Sequence, residues 1–372
     1  MSPSLFEALV GGAGAIGSRV EAAVADPAVG MTFADNQQVL PENLGVGRFG
    51  TDDLHREKAR VLAARRSARG GSGRALCGEV AYTIRPGLIR CLDAVLLCLD
   101  NPSAIRDVAE AVWAAGVSEL PVLTLSCGGD RGGYQARVFV APGVCPVCLF
   151  GEAEYRADQR AGATSCADTS APRAAAAAAE AAARLGAEIL ARWREGDRGL
   201  TRCRVQCEEG TSGTFIVRLP AKVSARCPVP HTAAGDDAGA VKELGGSIAS
   251  LTVGMLAEAA LRCAGDDAEI VLGRRSVPLS SLYCPRCRAV ASAPPLLMPA
   301  AVAAWRTCDC GVIPRPLAQR NRLSPRALLA SAAASRTLAA WGAGHGDEFL
   351  VQSGTARVRL RCTFSWSDLD DC

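Results

Sequence analysis

The stretch from Leu9 to Val20, LVGGAGAIGSRV, constrains this chain more than any other. Gly12, Gly14 and Gly17 fit G-x-G-x-x-G, in which the backbone turns tightly and lets phosphates approach the start of a helix. Phe6 to Val10 reads as a short buried strand before the turn, and Ile16 to Ala25 as a helix after it that Pro27 stops. A second strand in MTFADNQQV ends at Asp35. Together these pieces make the opening βαβ unit of a doubly wound α/β sheet, whose ligand sits at the carboxyl ends of the strands. The glycines alone do not choose between NAD and ATP, because an acid at the end of the second strand suits either.

A chain of 372 residues that is 49% hydrophobic can bury two moderate cores, and two domains are expected. With 41 basic and 38 acidic residues, a net charge of +3 supplies no global field toward nucleic acid or anionic lipid, so neither is expected as a partner. The N-terminus MSPSLFEAL has no basic region of the secretory kind. The longest uncharged run, Ala289 to Trp305, carries three prolines and is too short to span a bilayer. A soluble, cytoplasmic protein is the expectation.

Further along, Leu54 to Arg66 has helical spacing, RGGSGRAL (69 to 76) reads as a flexible turn, and CLDAVLLCLDN (91 to 101) reads as a buried strand. Ser103 to Ala115 is the next expected helix, with Ser103 as its cap. LPVLTLSC and YQARVFVAP add two strands, Gly151 to Ser170 is a polar loop, and the Ala-rich segment after Pro172 is a strong helix. Strands RCRVQC and TFIVRLP follow. TAAGDDAGA is the best linker, giving domains 1–235 and 236–372. In the second, helices are expected at Gly246 to Cys263 and Pro325 to Trp341, with a final strand pair between Phe349 and Arg361.

The blocks DNQQVLPENLGVGRFG, HREKA and LLCLDNPSAIR, following the glycine motif in this order, resemble the ThiF/MoeB/ubiquitin-activating-enzyme superfamily over roughly residues 8 to 231. The resemblance implies a Rossmann-like adenylation domain. It implies that Gly12, Gly14, Gly17 and Asp35 hold ATP, with Asp35 on the ribose, and that Asn43, Arg48 and Lys58 contact the phosphates. Asp100 would place Mg²⁺ and the α-phosphate, with Asn101 and Arg106 completing the D-N-x-x-x-R block. An adenylating site needs such cations against the triphosphate and a carboxylate for the metal; hydride transfer needs neither. The sequence departs from the pattern where Val46 stands for the usual arginine, leaving Arg48 displaced, and where Gln37 replaces a second acid.

Seventeen cysteines in a long chain, several of them tightly spaced, point to metal rather than a disulfide framework. Cys145 and Cys148 form one CxxC pair, and Cys227 with His231 completes an arithmetically possible Cys₃His zinc site. Cys284, Cys287, Cys308 and Cys310 form a second set that resembles a zinc ribbon in the smaller C-terminal domain. A competing arrangement joins Cys145 and Cys148 to Cys284 and Cys287. Cys77, Cys91, Cys98, Cys127, Cys203, Cys207, Cys263 and Cys362 have no partner at useful spacing and read as small buried hydrophobes.

Cys166 stands in the polar loop where thioester-forming members of the superfamily carry their nucleophile, and Cys227 is its rival. The function expected from the resemblance is ATP-dependent adenylation of the C-terminal glycine of a ubiquitin-like or sulfur-carrier protein, with acyl transfer to Cys166. Asp100, Lys58 and Arg48 are the other expected catalytic residues. The second domain is expected to recruit that carrier or a downstream conjugating enzyme, and a homodimer is the common state in the superfamily. Two rival readings stand beside it. An NAD-dependent oxidoreductase needs a catalytic His, Lys or Tyr and makes no use of Lys58 or Asp100. A degenerate ThiF-like zinc scaffold would bind a partner without chemistry.

Overall fold

The computed structural model describes the chain apart from residues 1–4, 79, 128–132, 142, 152–175, 200–202, 208–214, 219–221, 230, 232–239, 273–275, 305–307, 311–313, 355 and 364–372. The chain divides into two compact units, one of residues 1–84, 89–233 and 367–372, the other of 85–88 and 234–366.

The first unit is built on an eight-stranded sheet. Its strands are β1 (Phe6–Gly11), β2 (Val29–Asp35), β3 (Gly73–Cys77), β4 (Ala94–Leu97), β5 (Pro121–Cys127), β6 (Tyr134–Val140), β7 (Cys203–Cys207) and β8 (Phe215–Arg218). The order is β3-β2-β1-β4-β5-β6-β7-β8. β3 to β5 run parallel and the last three strands antiparallel. The strand order reverses between β1 and β4, so the crevice of a doubly wound sheet opens beyond their carboxyl ends. The unit's helices are α1 (Gly17–Ala23), α2 (Lys58–Ala68), α3 (Val80–Thr83), α5 (Pro102–Ala114) and α6 (Ala176–Arg194); α4 (Pro86–Arg90) is divided between the two units. β1, β2 and β4 are almost wholly buried, as expected of central parallel strands covered on both faces.

Several boundaries differ from the sequence reading for identifiable reasons. The segment read as a flexible turn at 69 to 76 contains β3, paired in register with Met31 to Asp35. Its glycine serves packing, since a Cβ on Gly73 would lie 2.1 Å from the Ala63 carbonyl oxygen of α2. α2 starts at Lys58 rather than Leu54, because His55 takes a left-handed conformation. α5 is capped by Asn101, whose side chain accepts from the Ser103 N–H at 2.9 Å, with Pro102 at the first helical position.

The second unit has a five-stranded sheet in the order Arg322–Leu323, Glu269–Val271, Glu348–Ser353, Ala356–Arg361, Ala240–Glu243. The helix Val253–Ala264 packs on it, and Trp341 stacks on Phe349 at 6.3 Å in the core. That helix begins after Gly245 and Gly246, both at positive φ, with the Thr252 side chain as cap, which explains why it is shorter than the spacing suggested. The single helix expected over Pro325 to Trp341 is two short ones, Pro325–Leu329 and Leu338–Trp341, each with its own hydroxyl cap from Ser324 or Thr337. No helix among the described residues is long and apolar enough to cross a membrane.

Candidate functional site

The glycine motif separates into two roles. Gly12 has φ +88°, and a Cβ there would sit 2.7 Å from the Cys98 carbonyl oxygen; one on Gly17 would sit 2.0 Å from the Gly12 carbonyl oxygen. Both glycines are required for the turn to close. A Cβ on Gly14 meets nothing within 4 Å, so that position faces open space above the sheet.

Asp35, at the end of β2, accepts hydrogen bonds from the Ala13 N–H at 2.7 Å and the Gln37 N–H at 2.8 Å. It thereby ties the glycine turn to the second strand. Burial pushes its carboxyl above the usual carboxylate range, while those two N–H donors and the Lys58 ammonium pull it down and Asp100 pushes it up. Asp35, Lys58 and Asp100 are therefore electrostatic neighbours, drawn from the ends of β2 and β4 and the start of α2. Lys58 is buried, and its Nζ donates to Gln37 Oε1 at 2.8 Å. Among the described residues it forms no ion pair. Gln37, where the resembled pattern has a second acid, holds the Lys58 ammonium with a neutral acceptor.

The other expected phosphate ligands are placed differently. Asn43 accepts from the Leu40 N–H at 2.9 Å and shapes its own turn. Arg48 is half-exposed, its N–H bonded to Ser18 Oγ at 3.0 Å and its guanidinium 3.7 Å from Glu180 on α6. Arg19 is a further cation at this turn, outside the motif residues. Its buried guanidinium donates to the carbonyls of Ala15 and Val46 and pairs with Glu180 at 3.4 Å, fastening the Asn43 to Arg48 loop onto the glycine turn. No spacing rule singles out that arginine, because its role depends on a loop that returns from a distant part of the chain.

Three thiols sit at the carboxyl edge of the sheet: Cys77 ends β3, Cys98 follows β4 and Cys127 ends β5. Burial, reinforced by Glu57, pushes Cys77 up to about 11. Burial raises Cys98 strongly and Cys127 as well. Such thiols are poor nucleophiles at neutral pH. Cys166 lies outside the described residues.

Cys145, Cys148, Cys227 and His231 converge with all four ligand atoms within 4.8 Å of one another. Cys145 Sγ is 3.8 Å from Cys148 Sγ and 3.4 Å from Cys227 Sγ; His231 Nε2 lies 3.2 Å from Cys148 Sγ and 3.3 Å from Cys227 Sγ. His231 Nδ1 is 2.9 Å from the Gly143 carbonyl, which also accepts from Trp113 Nε1. That contact fixes the ring so that Nε2 faces the thiols, the usual outer support of a ligating histidine. A tetrahedral zinc with arms of about 2.3 Å separates its sulfur ligands by about 3.8 Å, so the cluster fits that ion. In the second unit Cys284, Cys287, Cys308 and Cys310 gather in the same way, with Cys284 and Cys310 Sγ 3.4 Å apart and Cys287 and Cys308 Sγ 3.3 Å apart. The alternative that joined Cys145 and Cys148 to Cys284 and Cys287 is thereby corrected: each CxxC closes within its own unit. Cys227 belongs to the first cluster, which removes it as a rival nucleophile.

No family model matches the chain, and no curated protein sequence matches it. Among solved structures it is similar to Escherichia coli MccB with AMPCPP and MccA, at 17% identity over 60% of this chain and 66% of that one, TM-score 0.46. It is similar to MccB in complex with N-formylated MccA at 18% identity, covering 60% and 67%, TM-score 0.46. PaaA follows at 12% identity, covering 58% and 64%, TM-score 0.41. The match spans just under two thirds of the first of these chains. The functional reading therefore rests on this chain's own residues.

Proposed function

We propose that the chain is an ATP-dependent adenylating enzyme of the ThiF/MoeB/ubiquitin-activating type, which activates the C-terminal carboxylate of a ubiquitin-like or sulfur-carrier protein. The observation that carries this reading is the buried Lys58 ammonium, held by the neutral Gln37 at 2.8 Å beside Asp35 and Asp100 at the strand-order reversal. A buried cation without a carboxylate partner favours an anionic ligand, and a triphosphate supplies one. The sequence resemblance points to the same chemistry independently.

In this mechanism each Asp35 oxygen, already accepting one backbone N–H, retains a lone pair for a ribose hydroxyl. The open side of Gly14 admits the phosphate chain, and Lys58 holds it in place. The Asp100 carboxylate is the group that would hold Mg²⁺, an ion commonly bound by one or two carboxylates together with substrate phosphates. When bound, the ion offsets charge on the departing pyrophosphate. The carrier's terminal carboxylate oxygen attacks the α-phosphorus, the bond to the β-phosphate oxygen breaks, and pyrophosphate leaves. The Cys166 thiolate then attacks the acyl carbon, forming a thioester and releasing AMP. The two Cys-rich clusters would hold structural Zn²⁺, bracing the loops at 145–148 and 227–231 in one unit and the hairpin around Cys284 in the other.

The test is exchange of labelled pyrophosphate into ATP with a Gly-terminated carrier, beside calorimetric titrations of ATP and NADH. Carrier-dependent exchange that is lost in Asp100→Asn supports the proposal. Tight NADH binding without heat from ATP overturns it. Cys166→Ala should keep exchange and lose the reducible adduct; a persistent adduct removes Cys166 from the mechanism.

A further inference from the structure

The modest net charge of the chain conceals a sharp local imbalance. From Gly273 to Arg336 the sequence carries ten arginines and a single acid, Asp309. Since the whole chain holds 41 basic and 38 acidic residues, 31 basic and 37 acidic residues remain elsewhere, a net of −6 against +9 in this segment.

Part of that segment forms a small three-stranded sheet beside the second cysteine cluster, in the order Val290–Ser292, Ser281–Tyr283, Arg315–Pro316. Tyr283 lies directly opposite Val290 on one side and Arg315 on the other. The Leu317 N–H bonds to the Ser281 carbonyl, two residues along in the same alternation. Directly opposed residues share a sheet face, so Val290, Tyr283, Arg315 and Leu317 present one surface, while Leu282 is buried on the other. Val290 at 63% and Leu317 at 59% are the most exposed large hydrophobic residues of the described chain. Both lie on this face, with Arg315 beside them.

The arginines of the segment are not equivalent. Arg286 donates to the Cys310 carbonyl, and Arg322 and Arg326 are paired with Glu269 and Asp266. Arg315 and Arg320 are exposed and have no carboxylate within ion-pair distance among the described residues. A surface that sets the Arg315 guanidinium, without an ion pair among the described residues, between exposed aliphatic side chains matches a carboxylate flanked by aliphatic residues. It matches a phosphate backbone poorly, since nucleic acid recognition gains nothing from Val290 or Leu317.

We infer that the Val290–Tyr283–Arg315–Leu317 face is a docking surface for an acidic, aliphatic-containing polypeptide segment of a partner protein. Arg315 engages its carboxylates in a fork, and Val290 and Leu317 bury its apolar side chains. The inference goes beyond the adenylation reading and stands without it.

The experiment titrates the full-length, zinc-loaded chain against a fluorescent synthetic peptide alternating glutamate and leucine, its lysine-for-glutamate counterpart, and a single-stranded oligonucleotide. Wild type should bind the glutamate peptide, more weakly as salt rises. Arg315→Glu should lose about ten-fold in affinity and gain binding to the lysine peptide, and Leu317→Ser should also weaken the glutamate complex. Zinc content and melting temperature check that both variants are folded, and the lysine-peptide gain cannot come from a misfolded chain. Asp100→Asn, impaired in exchange if the adenylation reading is right, should bind the glutamate peptide unchanged, so the two proposals fail separately. Unchanged binding in both face variants overturns the inference. So does tighter binding of the oligonucleotide than of the glutamate peptide, or self-association abolished by Arg315→Glu with no peptide binding.

Discussion

Alanine substitution at the three motif glycines should produce opposite results at neighbouring positions. At Gly12, φ of +88° costs a Cβ-bearing residue about 1–2 kcal/mol. The new methyl group also lies 2.7 Å from the Cys98 carbonyl oxygen, adding overpacking of about 1–3 kcal/mol. At Gly17 the methyl falls 2.0 Å from the Gly12 carbonyl oxygen, backbone against backbone, and relief requires the turn itself to move. Either substitution should lower the melting temperature on the order of 5–15 °C for a domain of this size. Gly14→Ala meets nothing within 4 Å and should leave stability unchanged or raise it by about 0.4–1 kcal/mol through a less flexible unfolded chain. Its methyl nevertheless occupies the space through which phosphates would approach, so Mg-ATP affinity should fall about ten-fold or more. Differential scanning fluorimetry and calorimetric titration read both quantities on the same samples. If Gly14→Ala binds Mg-ATP as the wild type does, the turn cradles no phosphate. If Gly17→Ala melts with the wild type, the close approach behind this reasoning is wrong.

Lys58→Met should reduce exchange activity about 30-fold or more while shifting stability by no more than about 2 kcal/mol, because it removes a desolvated charge together with one charge-assisted hydrogen bond; equal activity in variant and wild type would make Lys58 structural. Burial raises the Asp35 carboxyl, so this acid takes up its proton at a higher pH when folded than when unfolded; the cost of burying its charge is present near neutrality and is relieved as pH falls through the folded value. ATP affinity should therefore weaken on acidification before the ordinary carboxylate range is reached, and calorimetry across that interval showing constant affinity would remove Asp35 from the site. Acid-released metal should amount to two zinc ions per chain, one for each cluster, with Cys148→Ser and Cys287→Ser each losing one. A chain that keeps its full complement in both variants would refute the assigned ligand sets.

The parallel half of the first sheet was legible because β1, β2, β4 and β5 are short, mainly apolar runs, as strands covered on both faces tend to be. β3 was not, because its defining constraint is the 2.1 Å approach of a Gly73 Cβ to Ala63, and a close contact between helix and strand leaves only a glycine in the sequence. The metal clusters were legible as spacings but not as partnerships: which CxxC closes with which distant pair is a property of the fold. In the second unit, the short strands from Val277 to Leu323 leave no sequence signal, since none of them exceeds three residues and several carry arginines rather than an alternating apolar pattern.

On the proposed adenylation reading, electrostatic balance offsets the departures from the pattern that the sequence resembles. Glu180 lies 3.4 Å from Arg19, 3.7 Å from Arg48 and 3.3 Å from Arg184, so one carboxylate is shared among three guanidinium groups. Arg19 is also bonded to the Ala15 carbonyl, which places its guanidinium beside the glycine turn. The missing arginine at position 46 therefore does not leave that side of the turn neutral. Gln37 works in the same direction, because a carboxylate in its place would lie 2.8 Å from Lys58 and cancel the one buried ammonium near Asp35 and Asp100. If Lys58 and Arg19 act on the phosphates, ATP affinity falls steeply with ionic strength, whereas binding of adenosine, which lacks the phosphates, stays nearly flat. Parallel salt dependence for the two ligands would show that the cations serve the fold and not the nucleotide.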